Sequence, residues 1–319
     1  MDRLAFLAGT VSLATAGASP APPPNPIGKA NGLDRIVSLV RDLEVARRWL
    51  ARLGFALTPG FQYGDGAATE SVALGDGTSL EFSTAGNNAG LKRDLAQRQG
   101  PHYAGIEVEN VLRAAFNLKG RGFKHGPFEA IRPIVPKADK TWRPVAYSFA
   151  LDGQSGPLGA AIFTEYDRFN QAQLAKAYPG VFKPRVAKHP NEAVRLSAAW
   201  FAVQNLDAAT KLVAKAGFPL GRQMGYAPLG GAFAQELSCG RGALVLFGFN
   251  RPGGVVDNIK RWGDYLMGYS LAVADLGRAR AYMKKAGIEA SPPYEGMYGS
   301  SVLIGPEVAG GAWLELHAP

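Results

Sequence analysis

The chain has a single cysteine, Cys239, in 319 residues. A lone thiol cannot close an internal disulfide, and this one sits in no CxxC pattern, so a disulfide scaffold and a thiolate metal centre are both excluded. Its surroundings, FAQELSCGRGALVLFGF, are apolar and predict a buried structural thiol rather than a nucleophile. No GxSxG, HExxH, P-loop or dinucleotide fingerprint occurs in a fitting strand–helix context. The chain also lacks a basic run. Its net charge is +9 and its pI about 9.6, yet the densest groups are pairs such as Arg47-Arg48 and Lys284-Lys285. No stacking aromatics interleave with them, so the pattern predicts a solvated basic surface and no nucleic-acid partner.

Long hydrophobic runs are missing too. The best candidate, Leu4 to Ala16, is too short to span a bilayer comfortably, which predicts no transmembrane span in the mature chain. With Arg3 before it and the small-residue pattern Ala16-Gly17-Ala18 after it, the run reads as an export signal. One arginine does not support a twin-arginine signal. Ala21 to Gly28, rich in proline, is a stiff tether. Residues 1–32 are therefore read as signal peptide and linker, and the protein as periplasmic or secreted; the alternative is a loose tail on a cytoplasmic protein.

What is present is a globular composition, 47% hydrophobic and 19% charged, with 40 glycines and 22 prolines that predict many short elements and tight turns. One element is spelled four times. Aligned on Asp42, Asn110, Asn205 and Asp275, the copies place Leu43, Val111, Leu206 or Leu276 next. Four positions after the anchor comes Ala46, Ala114, Ala209 or Ala279. Eight after comes Leu50, Leu118, Val213 or Met283, and twelve after comes Gly54, Gly122, Gly217 or Gly287. These offsets describe a helix with an Asp or Asn N-cap, one apolar face and a glycine stop. Before each anchor lies a strand whose two faces separate by parity. Val40, Val108, Val203 and Val273 lie on the apolar, helix-packing face. The other face carries Arg35, Tyr103 with Glu107, Trp200, and Ser270, and is read as a cleft wall. Short β-like pieces broken by glycine follow each helix, with Gly-Asp-Gly at 75 to 77 as a hairpin signal. The reading is an α+β fold of four βαβββ modules paired into two open-barrel halves, 33–166 and 195–319, joined by a connecting segment at 167–194.

The stretch LDRIVSLVRDLEVARRWLARLGFALTPG, with LGDGTSLEF, IFTEYD and KHPNEAVRL after it, resembles the vicinal oxygen chelate superfamily, and within it the glyoxalase-like domain branch. The superfamily includes glyoxalase I, extradiol dioxygenases, and fosfomycin and bleomycin resistance proteins. The resemblance implies a cleft in each half. In metal-using members it implies a His or Gln on a module's first strand and a Glu on its last, holding a divalent ion that binds two neighbouring substrate oxygens. Here the first-strand positions hold Arg35, Tyr103, Ala198 and Gly268, none of them a usual ligand. Glu81 keeps the Glu position of the first module and Glu315 that of the fourth, while the third module has no carboxylate there.

The residues thus predict a ligand-binding cleft lined by Arg35, Glu81, Tyr103 and Glu107, and a second cleft with Trp200, Ser270, Glu315 and His317. Glu315 and His317 share a strand face and form a possible acid–base pair, although a histidine so near the end is more often exposed. No cofactor is predicted. The alternative is a divalent metal at Glu81, His102 and Glu165, which requires a bulge near Pro101 because strand alternation otherwise turns His102 out of the cleft. Two functions follow: an exported binder of a small oxygenated or anionic molecule without the usual metal, or a metal-dependent lyase, isomerase or dioxygenase. A metal-free lyase or isomerase remains compatible with both clefts. The partner is a small-molecule ligand, and the protein a monomer or homodimer.

Overall fold

The computed structural model describes residues 32–62, 66–132, 144–177 and 188–319. The region read as an export signal lies outside the described residues, as does part of the connecting segment.

Each of the four anchors caps a helix. Asp42 accepts from the backbone N–H groups of Glu44 and Val45 at the start of α1 (Leu43–Arg52), and Asn110 from Arg113 in α3 (Val111–Gly120). Asn205 accepts from Ala208 in α5 (Leu206–Lys215), and Asp275 from Arg278 in α7 (Leu276–Lys285). Each cap satisfies an N–H that the first helical turn leaves without an intrahelical partner. The glycine stops need their missing side chain: Gly54, Gly122, Gly217 and Gly287 have φ of 81°, 87°, 104° and 65°. The residues four and eight after each anchor are buried in every helix.

The strands form two eight-stranded sheets. The first comprises β1 (Leu33–Leu39), β2 (Thr58–Gln62), β3 (Ala68–Ala73), β4 (Ser79–Ser83), β5 (Gly100–Glu107), β6 (Glu129–Ile131), β7 (Ala146–Ala150) and β8 (Ala161–Tyr166). Its order is β2-β3-β4-β1-β5-β8-β7-β6, so two modules join along antiparallel β1 and β5. The second comprises β9 (Ala193–Val203), β10 (Leu220–Tyr226), β11 (Ala232–Ser238), β12 (Ala243–Gly248), β13 (Tyr265–Val273), β14 (Tyr294–Gly296), β15 (Gly299–Ile304) and β16 (Trp313–His317). It repeats the order strand for strand, with β9 and β13 at its centre. Each sheet curls toward an open barrel, the four-module architecture the repeat predicts.

The apolar faces of both sheets and the buried stripes of α1, α3, α5 and α7 form one continuous core that includes Ile36, Ile106, Phe201 and Leu271. Cys239 is fully buried in it, and burial pushes its thiol well up, as befits a structural residue. Three further helices had no clear sequence signal: α2 (Ala89–Gln97) after β4, α4 (Arg168–Ala177) after β8, and α6 (Gly254–Trp262) after β12. The first buries none of its residues, so it has no apolar stripe to read. Among the described residues, no helix is long and apolar enough to cross a membrane.

Candidate functional site

The central strand pairs carry a bulge at the residue eight before each helix cap. In β1 the pairing passes from Leu33–Ile106 to Arg35–Gly105 and skips Asp34; in β5 it passes from Val37–Tyr103 to Ser38–Pro101 and skips His102. In the second sheet the same step skips Ser197 and Met267. A bulged residue escapes the alternation of faces. Asp34, which parity assigns to the helix side, therefore joins Arg35 on the cleft side.

These two residues begin a polar cluster. The Arg35 guanidinium donates to Asp34 Oδ2 at 2.9 Å, to Thr164 Oγ1 at 3.0 Å and to the Tyr166 hydroxyl. Its Nε lies 3.5 Å from Glu81 Oε2. Glu81 stands opposite Val37 on the parallel neighbour β4, and so on the same face as Arg35. Thr164 and Tyr166 lie on β8, beyond β5. Arg35 reaches them by lying over Gly105, where a Cβ would come within 2.4 Å of Arg35 Cγ and 2.5 Å of Asp34 Oδ1. Tyr166 in turn donates to Asp34 Oδ2 at 2.5 Å. Burial raises the Tyr166 hydroxyl well above its ordinary range, which the guanidinium only partly offsets. Arg35 is raised well above its usual value: burial opposes its charge, but Asp34, Tyr166 and Glu81 together outweigh it. The Arg35 side chain is 7% exposed and that of Glu81 35%, so the cluster is open to solvent at the Glu81 end.

The other residues predicted for this cleft serve neighbouring contacts. Tyr103 donates to Asp94 Oδ2 of α2 at 2.7 Å, and burial raises its hydroxyl. Glu107 accepts from Arg168 at 2.6 Å and from Arg241 of the second half at 3.0 Å, tying the halves together.

The set Glu81, His102 and Glu165 does not converge. The bulge near Pro101 exists, but it turns His102 against α2 beside Tyr103, with Nδ1 2.8 Å from Gly100 O and Nε2 3.4 Å from Asp94 O. Burial brings this imidazole down to about 4. Glu165 faces the helix side, where it accepts from the Val111 N–H at 3.1 Å and caps α3. The fourth-module position of Glu315 corresponds in the second module to Ile162, two residues on the cleft side from Thr164. Among the described residues, no group of three His, Cys, Asp or Glu side chains could hold a metal ion.

The second cleft is filled by its own side chains. Trp200, Tyr226, Phe247, Met267 and Met297 pack into a separate apolar cluster. Glu315 is fully buried beside it. Its Oε1 accepts from the Tyr226 and Tyr294 hydroxyls at 2.5 and 2.6 Å, and its Oε2 from Ser270 at 2.7 Å. Ser270 receives the Trp200 indole N–H at 2.7 Å. Burial raises Glu315 above the carboxylate range, and these hydroxyl donors oppose the rise. His317 is buried, not exposed as its place near the chain end suggested, and it does not pair with Glu315. Its Nε2 lies 2.8 Å from Ser197 Oγ, and burial lowers it to about 4.

Surface grooves of about 230 and 420 Å³ lie elsewhere in the second half. They share Phe249 and Val256 and include none of the predicted site residues.

The family model of the glyoxalase-like domain matches residues 33–217, more than half of the chain. The chain belongs to the glyoxalase-like domain family. Solved structures agree on the fold. A mutant of 4-hydroxymandelate synthase from Streptomyces coelicolor is similar with a TM-score of 0.63 at 11% identity, over 91% of this chain and 92% of that one. A xylose isomerase-like TIM barrel/4-hydroxyphenylpyruvate dioxygenase fusion protein matches with a TM-score of 0.61 at 15% identity, over 95% of this chain and half of the fusion. A hypothetical protein from Staphylococcus aureus matches with a TM-score of 0.55 at 10% identity, covering 90% of this chain and 98% of that one. No curated protein sequence matches this chain.

In this glyoxalase-like protein the residues at the metal-ligand positions do not fit a divalent ion. In the first half Arg35 puts a permanent cation there, with Asp34 and Glu81 as its counter-ions. In the second half Ala198, Gly268 and Val245 offer no donor side chain, and both oxygens of Glu315 accept hydroxyl hydrogens. Asp34, Thr164 and Tyr166 are the cluster residues that the sequence did not single out. Only a bulge in β1 brings in the first, and only the gap over Gly105 brings in the other two.

Proposed function

We propose that this protein binds a small oxygenated molecule at the Asp34–Arg35–Glu81–Tyr166 face of its first half, without the divalent ion of metal-using relatives. The observation that carries this reading is the buried Arg35 guanidinium beside Glu81, at a metal-ligand position of the family. An entering ion would have to displace Arg35 from Asp34, and breaking a buried pair of this kind costs about 3–5 kcal/mol. Two carboxylates face one guanidinium, which narrows the ligand. The local field is negative, so neutral hydroxyl and carbonyl oxygens are favoured over an anion. A ligand hydroxyl can donate to the exposed side of Glu81, and a carbonyl can accept the second Nη2 hydrogen of Arg35, which the contacts to Asp34, Tyr166, Thr164 and Glu81 do not use.

Calorimetric titration with matched neutral and carboxylated compounds, on wild type and Glu81→Gln, tests the reading. Neutral hydroxy and carbonyl compounds bind saturably, at least tenfold more weakly to Glu81→Gln, and chelator leaves the affinity unchanged. Stoichiometric manganese, iron, nickel or zinc in the purified protein that is lost in Glu81→Gln would overturn it.

A catalytic reading of the same face has one observation in its favour: the Tyr166 hydroxyl lies between Asp34 and Arg35. A tyrosine raised by burial keeps its proton at neutral pH. It can give that proton to one substrate atom, and the phenolate left beside Arg35 can take a proton from the neighbouring substrate carbon, as a metal-free isomerase requires. Tyr166→Phe that keeps ligand affinity while abolishing turnover supports this reading; turnover unchanged in Tyr166→Phe removes it.

Export belongs to the proposal on the strength of the Leu4–Ala16 run and Ala16-Gly17-Ala18 alone. The mass of the mature chain checks it.

A further inference from the structure

A different cation, Arg98, stands where the two halves meet, without a salt bridge among the described residues. Arg98 follows α2 of the first half, and its guanidinium carbon lies 5.8 Å from the Trp262 ring centroid and 5.1 Å from that of Tyr265, both of the second half. Trp262 and Tyr265 meet edge-on, with centroids 5.4 Å apart and an interplanar angle of 87°. A second guanidinium, Arg261, lies 5.9 Å from the same indole.

Two other shielded arginines have carboxylate partners: Arg35 has Asp34 and Glu81, and Arg241 has Glu107. Among the described residues, neither Arg98 nor Arg261 makes an ion pair. Asp94, in the last turn of α2 before Arg98, has an oxygen committed to Tyr103. The Trp262 indole N–H is buried and has no acceptor among the described residues. A shielded indole N–H left unmatched is costly, and the half-buried guanidinium fork beside the ring is a further strong donor. Burial brings Arg98 down to about 10, a fall that Tyr265 and Asp94 only partly offset. The aromatic walls hold the guanidinium plane by cation–π attraction and leave its N–H edge to a ligand.

We propose that the seam between the halves binds a small carboxylate, held two-point by the Arg98 fork and reached by the Trp262 indole N–H, with Arg261 adding positive field. Three donors and one desolvated charge match a monoanion with two acceptor oxygens. A phosphate dianion brings more charge and more acceptors than the seam supplies. The site shares no residue with the Arg35–Glu81 face, so the two proposals stand or fall separately.

Titration of the full chain with benzoate and acetate, against phosphate and chloride at fixed ionic strength, tests the inference by calorimetry and tryptophan fluorescence. Benzoate binds saturably at one site per chain. Arg98→Gln weakens it at least tenfold, the loss of a charge-assisted two-point contact. Trp262→Phe, which keeps an aromatic ring and removes the N–H, weakens it about fivefold. Glu81→Gln leaves it unchanged. Chloride or phosphate competing as well as benzoate, no saturation in wild type, or equal affinity in folded Arg98→Gln each overturns the inference. Should Arg98→Gln fail to fold, Arg98→Lys carries the test, because it keeps the charge without the fork; unchanged benzoate affinity then overturns the two-point grip.

Discussion

The two halves share strand order, helix caps and bulges, yet their clefts differ in kind. Counted from the caps, Asp34 corresponds to Ser197, Arg35 to Ala198, Val37 to Trp200 and Gly105 to Ser270. By register, Glu81 corresponds to Val245, and Ile162 to Glu315. The first half places a charged side chain beside a position with no side chain and lets it run across a strand. The second half places a small residue there and fills the space with Trp200, Tyr226 and Phe247, which close over Glu315. Each half keeps one carboxylate at the family's Glu position, on opposite sides of its pseudo-symmetric sheet. One is reachable from solvent and paired with a cation; the other is sealed among hydroxyls. The backbone thus fixes where polar chemistry can stand. The side chains on the two central strands decide whether that place becomes a cleft or a core.

Removing the two carboxylates should separate the halves most sharply. Glu315→Ala leaves the Tyr226, Tyr294 and Ser270 hydroxyls facing a cavity, and about 3–5 kcal/mol of stability should be lost. Glu81→Ala removes a partly exposed partner from an arginine that retains Asp34, and should cost about 1 kcal/mol or less. Urea unfolding of both variants measures the difference. Equal losses would mean that the first cleft is as much a structural core as the second.

The sequence carried the architecture well because caps, helix faces and glycine stops are local. Asp42, Ala46, Leu50 and Gly54 need only one another to be read, and three more copies confirm the pattern. Site content was legible where alternation holds: Arg35 and Glu81 do share a face, and Trp200, Ser270 and Glu315 do form one hydrogen-bonded chain. It failed at the bulged position. Asp34 looks like a helix-side residue, and His102 gains the cleft side without gaining Glu81, because a bulge is set by pairing with a strand some 70 residues away. Glu165 was misread for a related reason. Its strand had no helix cap from which to count, so nothing in IFTEYD told which residue faced the cleft. The filling of the second cleft depends on Tyr226, Tyr294 and Met297, which come from three strand ends that no local pattern brings together.

A pH titration of stability compares the halves through one buried histidine in each. His102 and His317 are both brought down to about 4, mainly by burial. Between the unfolded value of about 6.5 and the folded value, the unfolded chain binds more protons, so stability is whole above that window and is lost as pH falls through it. Each histidine accounts for up to roughly 3 kcal/mol of the loss. Glu315 works in the opposite sense: its folded value is raised, so its contribution is largest in acid and declines as pH rises. His102→Asn and His317→Asn should each remove a measurable part of the fall in stability between pH 6.5 and 4, with His189, which burial also lowers, contributing to the rest. If only His317→Asn flattens the profile, then His102 is solvated in the first half, and that cleft is more open than the packing of α2 against Tyr103 implies.

A glycine in the first half gives the most direct test of how that cleft is built. Gly105→Ala adds one methyl group within 2.4 Å of Arg35 Cγ and 2.5 Å of Asp34 Oδ1. Cγ is an inner atom of Arg35, so that side chain cannot yield by a turn of its tip, whereas the Asp34 carboxylate can turn aside. Arg35 must lift off β5, and the overpacking should cost about 1–3 kcal/mol. Its hydrogen bonds to Thr164 and Tyr166 on β8 depend on that path and should be lost, while its pairing with Glu81 on the other side need not be. Folded Gly105→Ala should therefore bind neutral oxygenated ligands at least tenfold more weakly, with only a modest drop in urea midpoint. At the corresponding position of the second half the protein already carries a side chain, Ser270, because no arginine passes over it. A Gly105→Ala protein with unchanged affinity would show that Arg35 does not need β8 to shape the site, and that the contrast between Gly105 and Ser270 is one of packing alone.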